Sequence, residues 1–235
     1  MKIKFYPLFT LLITVISSTL WMSCSDTTPI LTFGESKIRI INAAPDAGNI
    51  KLYANDSLKT PNGLSFGQST DFTNISGGIN KFLVKNNDQS IEKSRLNFKL
   101  DTNKKYTFFI AGGVTKDSLT YVSLKDNLTV LTDTTAKIRL VNLVPSSPFL
   151  DLIFSKDSTE NLASFSNINF KSGTDYKQFK PGIYFLKVRE SGNKIDLLNV
   201  PNFKIEAKKI YTLWLKGYIN GSGNQALDAQ ILKDN

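Results

Sequence analysis

Ser36-Lys37-Ile38-Arg39-Ile40-Ile41-Asn42-Ala43-Ala44-Pro45 returns further along the chain as Ala136-Lys137-Ile138-Arg139-Leu140-Val141-Asn142-Leu143-Val144-Pro145. Both stretches open with alternating polar and apolar residues, the period of a half-buried strand, and both close on a proline that interrupts it. The match continues. Residues 64–72 (LSFGQSTDF) correspond to 168–176 (INFKSGTDY), 76–79 (SGGI) to 180–183 (KPGI), 97–100 (NFKL) to 202–205 (NFKI), Tyr106-Thr107 to Tyr211-Thr212, and 124–127 (LKDN) to 232–235 (LKDN). The offset grows only from 100 residues to 108, so loops lengthened while the order of elements held. The repeat unit has the size of an independently folding module, far longer than a solenoid repeat, and each copy can bury a modest core.

Ile50-Lys51-Leu52-Tyr53, Leu186-Lys187-Val188 and Phe203-Lys204-Ile205 alternate in the same way, and 83–84, 106–110, 119–124 and 211–215 are rich in strand formers. Turn signals at 45–48, 61–63, 76–78, 101–103, 180–182, 191–193 and 220–223 separate these runs. The expectation is an all-β chain: two tandem antiparallel Ig-like, Greek-key β-sandwich modules of about seven strands each. The first spans 36–128 and the second 136–235, with a linker at 129–135. Tyr106 and Tyr211 start strands just after turns, as the tyrosine of a Greek-key corner does. Trp214, between Leu213 and Leu215, reads as core rather than as a platform for a sugar ring.

The first residues set the location. Lys2 and Lys4 precede a mostly apolar run, 5–20, and Ser23 precedes Cys24, the sole cysteine. This is the layout of a secretory signal over 1–23 with lipidation at Cys24 and a polar tether over 24–35, although Trp21 and Met22 replace the usual Leu and small residue of a lipoprotein box. Diacylation at Cys24 would give a stable membrane anchor. Without the leader, the formal charge falls from +9 to +7, five on each module and minus three on tether and linker. The lysines are scattered singly among strands, with no arginine-rich run or aromatic interleaving, which reads as a solvated surface and not as a nucleic-acid interface.

A family resemblance rests on specific residues. Arg39-Ile40-Ile41-Asn42-Ala43-Ala44-Pro45-Asp46-Ala47, then Ile50-Lys51-Leu52-Tyr53, the F-G-x-x-T-D-F of 66–72, the G-G-I-x-x-F-L-V of 77–84 and the Tyr106 strand resemble a bacterial extracytoplasmic domain family of unknown function. Its units open R-V-V-[HN]-A-[SA]-P-D-A and contain a later P-A-G-x-Y-x-[VL]-x-V strand. The second copy keeps Arg139, Asn142 and Pro145 of the opening and matches the later strand through Pro181-Gly182-Ile183-Tyr184. The resemblance implies a β-sandwich without an established activity, carried by secreted proteins and surface lipoproteins of the Bacteroidota. For this chain it implies a cell-envelope, outer-membrane lipoprotein, facing either the periplasm or the outside.

The chain contains no histidine, which excludes Ser-His-Asp and Cys-His catalysis and imidazole metal sites. Asp71 and Asp175 are equivalent, each between a threonine and an aromatic, but one carboxylate is too few for a calcium loop and suits a turn better. No catalytic residue, metal ligand or cofactor site is assigned. Asp followed by Ser or Thr and a methyl-bearing residue occurs five times, placing hydroxyls at Thr27, Ser57, Ser118, Thr134 and Ser158. That tripeptide resembles the O-glycosylation acceptor of exported Bacteroidota proteins, and it is equally a good turn sequence.

Two functional classes remain. One is a non-enzymatic, lipid-anchored surface module that binds a glycan or an envelope protein through loops held by the sheets, with Pro45, Asp46, Asn49, Phe149 and Tyr218 as the candidate binding residues. The other is a structural spacer or adhesin-like assembly component. Lys37, Lys51, Lys81, Lys99 and Lys204 weigh against polymerisation through strand edges.

Overall fold

The computed structural model describes residues 1, 34–86, 92–113, 119–129, 131, 134–156 and 163–235. The alternation in each copy becomes strands. The first copy contributes β1 (Glu35–Asn42), β2 (Ile50–Ala54), β3 (Ser57–Leu58), β4 (Thr73–Ser76), β5 (Gly78–Asn86), β6 (Glu92–Leu100), β7 (Lys105–Ala111) and β8 (Thr120–Lys125). The second contributes β9 (Ala136–Asn142), β10 (Leu150–Ser155), β11 (Ala163–Ile168), β12 (Ser172–Gly173), β13 (Lys177–Phe179), β14 (Gly182–Glu190), β15 (Asp196–Ile205), β16 (Ile210–Lys216) and β17 (Asp228–Lys233). A single 3₁₀ turn, Gly223–Gln225, is the helical element among the described residues. Setting aside the two-residue β3 and β12 and the three-residue β13, each copy has seven principal strands.

In the first copy, sheet β4-β1-β7-β8 faces sheet β3-β2-β5-β6; in the second, β12-β9-β16-β17, with β13 also on β9, faces β11-β10-β14-β15. Each pair encloses an apolar core. Ile38, Ile40, Leu52, Phe82, Val84 and Phe108 meet in the first, and Phe82 stacks on Phe108 with ring centroids 4.6 Å apart. Ile138, Leu140, Leu152, Phe154, Leu186 and Leu213 meet in the second, where Phe154 lies against Phe165, Phe179, Tyr184 and Phe203. These are the inward positions of the period-two pattern.

One feature departs from the antiparallel expectation: β1 pairs with β7, and β9 with β16, in parallel. A parallel neighbour needs a crossover connection. Here the crossover is the rest of the module, since the chain visits the opposite sheet before returning beside its first strand. Local sequence period is the same for either pairing, so it does not report this.

The corner tyrosines do what their placement suggests. The Tyr106 hydroxyl accepts the backbone N–H of Asp101 at 3.0 Å, and that of Tyr211 accepts the N–H of Glu206 at 3.1 Å. Each ties the start of a strand to the turn before it. Tyr106→Phe and Tyr211→Phe are each expected to lower the unfolding free energy by about 1 kcal/mol, the net worth of one buried hydrogen bond, with the urea m-value unchanged. Wild-type midpoints for both variants would remove the corner as a stabilising device.

Sheets β4-β1-β7-β8 and β12-β9-β16-β17 are covered on their second faces as well. Ile41, Ala43, Phe109, Ala111 and Val122 from the first copy pack with Val141, Leu143 and Trp214 from the second. Burial on both faces explains why Ile40-Ile41, Phe108-Phe109-Ile110-Ala111 and Leu213-Trp214-Leu215 are continuous apolar runs rather than alternating ones. Phe33–Asn235 accordingly forms one compact unit.

Candidate functional site

The seam between the copies gathers three of the duplicated polar pairs, Arg39/Arg139, Thr107/Thr212 and Asp126/Asp234, into one ring. Arg39 on β1 donates to Thr107 on β7 at 2.8 Å and to the carboxylate of Asp234, past the end of β17, at 2.5 Å. Asp234 accepts from the Thr212 hydroxyl at 2.7 Å, and Thr212 accepts from Arg139 Nε at 2.9 Å. Arg139 pairs in turn with Asp126, and Asp126 accepts from the Thr107 hydroxyl at 2.9 Å, which closes the ring. Every link made by one copy has its counterpart in the other, so the arrangement is a pseudo-two-fold. Both aspartate side chains are fully buried, and the arginine side chains are 9% and 3% exposed.

The T-D-[FY] motif completes the seam. The hydroxyls of Thr70 and Thr174 accept the backbone N–H groups of Ile40 and Leu140, both at 3.0 Å. Two residues on, Phe72 and Tyr176 place their rings 4.8 and 4.9 Å from the guanidinium carbons of Arg39 and Arg139. Asp71 and Asp175 between them are exposed. Burial pushes the Tyr176 phenol up to about 12. It also drives the Asp126 carboxyl upward, outweighing the Arg139 guanidinium that pulls it down. At the surface the duplication gives a second matched pair: Lys125 holds Asp101, and Lys233 holds Glu206, below the ordinary carboxylate range.

Three of the five candidate loop residues lie where the two copies meet: Pro45 against Gln225, and Asp46 and Tyr218 together beside Gly113. Pro45 is buried, and its carbonyl accepts from Gln225 Nε2 of the second copy at 2.9 Å. The loop after β16 reaches back over the first copy: a Cβ at Gly113 would stand 2.6 Å from the Tyr218 hydroxyl and 3.3 Å from an Asp46 carboxylate oxygen. A side chain at 113 would therefore displace the Tyr218 hydroxyl. Gly217, at φ 81°, gives this loop its turn, and a Cβ there would meet the Ala226 carbonyl. Asn49 is exposed, and Phe149 is 53% exposed at the mouth of β10. An open cleft of about 520 Å³ lies between Pro145, Pro148, Tyr218 and Asn220.

Among the glycosylation candidates, Ser57 is exposed on the edge strand β3. It follows a two-residue turn in which Asn55 and Asp56 have φ of 48° and 63°, the left-handed geometry of a tight hairpin. Thr134 is exposed just before β9. Thr27, Ser118 and Ser158, and likewise Cys24, lie outside the described residues.

Sequence reasoning passed over Arg39, Arg139, Asp126 and Asp234. The signal was present: an arginine kept in both copies where its strand passes from alternation into a continuous apolar run, and an aspartate of opposite charge kept in both L-K-D-N closures.

A sequence profile described as a domain of unknown function, DUF4397, matches residues 36–153 and again 136–235. The chain belongs to the DUF4397 family. It carries the DUF4397 unit twice, and the two matches together span both sandwiches and the seam between them. No curated protein matches this DUF4397 chain. Among solved structures it is similar to a carbohydrate-binding module, CBMbc (family CBM26) of Eubacterium rectale Amy13K in complex with maltoheptaose, at 9% identity. That alignment covers 86% of this chain and 97% of the module with a TM-score of 0.26.

Proposed function

We propose that this DUF4397 chain is a non-enzymatic accessory module of the cell envelope, anchored through lipid on Cys24, which offers the outer faces of its two sandwiches to a glycan or protein partner. The observation that carries this reading is the destination of the recurring residues. Arg39 and Asp126, with their counterparts Arg139 and Asp234, lock one copy onto the other, and Thr70, Phe72 and Thr107, like Thr174, Tyr176 and Thr212, hold those groups and their strands in place within each copy. Two of the four sheets are buried on both faces, which leaves the outer faces of β3-β2-β5-β6 and β11-β10-β14-β15 as surfaces on which the copies differ. Among the described residues, no three His, Cys, Asp or Glu side chains group as metal ligands.

A stacked-sugar mode is not what these faces favour. Trp214 is 1% exposed, and the exposed aromatics Phe149 and Phe185 stand at opposite ends of the β10–β14 pair. Recognition by polar and charged groups on the sheet faces fits better than an aromatic platform.

The anchor is tested by producing the full chain and its Cys24→Ser variant in a lipoprotein-processing bacterium fed a clickable palmitate analogue. The wild type is expected to label, to enter the detergent phase on Triton X-114 separation and to sediment with the envelope. The variant is expected to do none of these. An unlabelled wild-type chain in the aqueous phase would overturn the anchored reading.

A further inference from the structure

The lysines that are scattered in the sequence are assembled by the fold. In the sheet β3-β2-β5-β6, Ile50, Leu52, Ala54, Phe82, Val84 and Leu100 face the core. The alternate positions face outward, and they are Lys51 and Tyr53 on β2, Ile79, Lys81, Leu83 and Lys85 on β5, and Arg95, Asn97 and Lys99 on β6. Register sets them in rows: Lys51 opposite Lys85, Tyr53 opposite Leu83 and then Arg95, Lys81 opposite Asn97, and Ile79 opposite Lys99. Five cations thus share one face that runs for about 20 Å along the strands. Glu92, paired with Lys85 in the register, is the one carboxylate residue on these four strands.

The equivalent face of the second copy is built differently. There Arg189 is paired with Asp196, and Asp151 accepts from the Ser191 hydroxyl at 2.5 Å, so positive and negative groups alternate. The cationic face belongs to the first copy, where the duplicated scaffold has diverged.

We propose that the outer face of β3-β2-β5-β6 is a docking surface for an acidic polysaccharide, a linear glycan carrying carboxylates at intervals. The inference rests on the reading above that the outer faces meet partners. Cations distributed over such a length exceed what one small anion would engage and suit a chain whose charges are also spaced. The face carries a single aromatic, Tyr53, half-buried with the Lys85 ammonium 5.5 Å from its ring centre. That gives no succession of rings on which nucleobases would stack. Ile79, 72% exposed, is its one strongly protruding apolar side chain, whereas docking into a bilayer surface uses a broad apolar face flanked by charge. An acidic glycan needs neither a succession of aromatic rings nor a broad apolar face.

The test uses the full chain in non-ionic detergent micelles and a fluorescein-labelled oligogalacturonate followed by anisotropy. Binding is expected to be saturable, to weaken as sodium chloride is raised from about 50 to about 300 mM, and to be absent with neutral dextran. The triple variant Lys81→Glu/Lys85→Glu/Lys99→Glu is expected to lose at least about tenfold in affinity. The control Lys180→Glu/Lys194→Glu/Lys208→Glu, equal in charge change but confined to exposed positions of the second copy, is expected to stay within about twofold. Far-UV circular dichroism and a urea midpoint for each variant separate lost binding from lost folding. Equal losses in both triple variants would reduce the effect to net charge. Binding of the aqueous Cys24→Ser variant, in detergent-free buffer, to phosphatidylglycerol vesicles, or binding of the chain to a single-stranded oligonucleotide, in place of the glycan would overturn the assignment. Because the assay takes place in micelles, failure of palmitate labelling at Cys24 and failure of glycan binding are read independently.

Discussion

Asp126→Ala is expected to lower the free energy of unfolding by about 3–5 kcal/mol, and Asp234→Ala by a similar amount, the penalty for leaving a buried arginine without its partner. Both side chains are fully buried, and each accepts from an arginine of the opposite copy and from a threonine on the central parallel strand of one sheet. Removing one carboxylate therefore strands a guanidinium and opens a ring of six groups. The double replacement Arg139→Met/Asp126→Leu is expected to fall within about 1 kcal/mol of wild type or above it, because desolvation of an ion pair offsets most of its Coulomb attraction. The Asp126 carboxyl itself points this way: burial raises it more than Arg139 lowers it. Urea denaturation with m-values held equal gives both numbers. Single variants within about 0.5 kcal/mol of wild type would mean that the seam is solvated and the pairs are ordinary surface bridges.

What the sequence made legible was whatever is local or repeated. Lys37-Ile38-Arg39-Ile40 and Ile50-Lys51-Leu52-Tyr53 fold as strands because period two is a property of a few neighbouring residues. Tyr106 and Tyr211 were placed at corners because each follows its turn at the same distance. Parallel pairing of β1 with β7 was not legible, since it depends on which sheet the chain has crossed in between. Arg39 was visible as a shared residue, but its role requires knowing that Asp234, 195 positions away, ends beside it. The same limit applies to the candidate loops. Pro45, Asp46 and Tyr218 read from the sequence as loop surfaces for an outside partner; the fold buries Pro45 against Gln225 and sets half-buried Asp46 and Tyr218 together beside Gly113, while Asn49 and Phe149 are exposed. Lysines read as scattered and solvated became a face only once register put Lys51 beside Lys85. Register is decided by burial of the opposite side of the strand, so a surface pattern can be a by-product of core packing and still be available for binding.

Trp214→Ala is the second large effect, an expected loss of about 3–5 kcal/mol. The ring is 1% exposed and lies 5.7 Å, centre to centre, from Phe109, its own equivalent in the first copy, so truncation hollows the seam at its pseudo-axis. Its side chain belongs to neither module core; it packs with Ile41, Val122 and Val141 between them. That makes Trp214 a reporter of the seam alone. In a Trp21→Phe background it is the sole indole of the chain, and its emission is expected to be blue-shifted in the native state and to move to the red in one step with loss of the far-UV β signal, as one cooperative unit requires. Phe109→Ala, which leaves the fluorophore in place but removes its partner, is expected to shift the fluorescence midpoint to lower urea than the circular dichroism midpoint. The seam would then open before the sandwiches melt. Coincident transitions in that variant, together with a loss below about 1 kcal/mol for Trp214→Ala, would show that the copies hold together through the arginine ring without help from apolar contact. Native emission at the wavelength of a solvated indole would mean that the seam is open in solution and that each copy stands as its own domain.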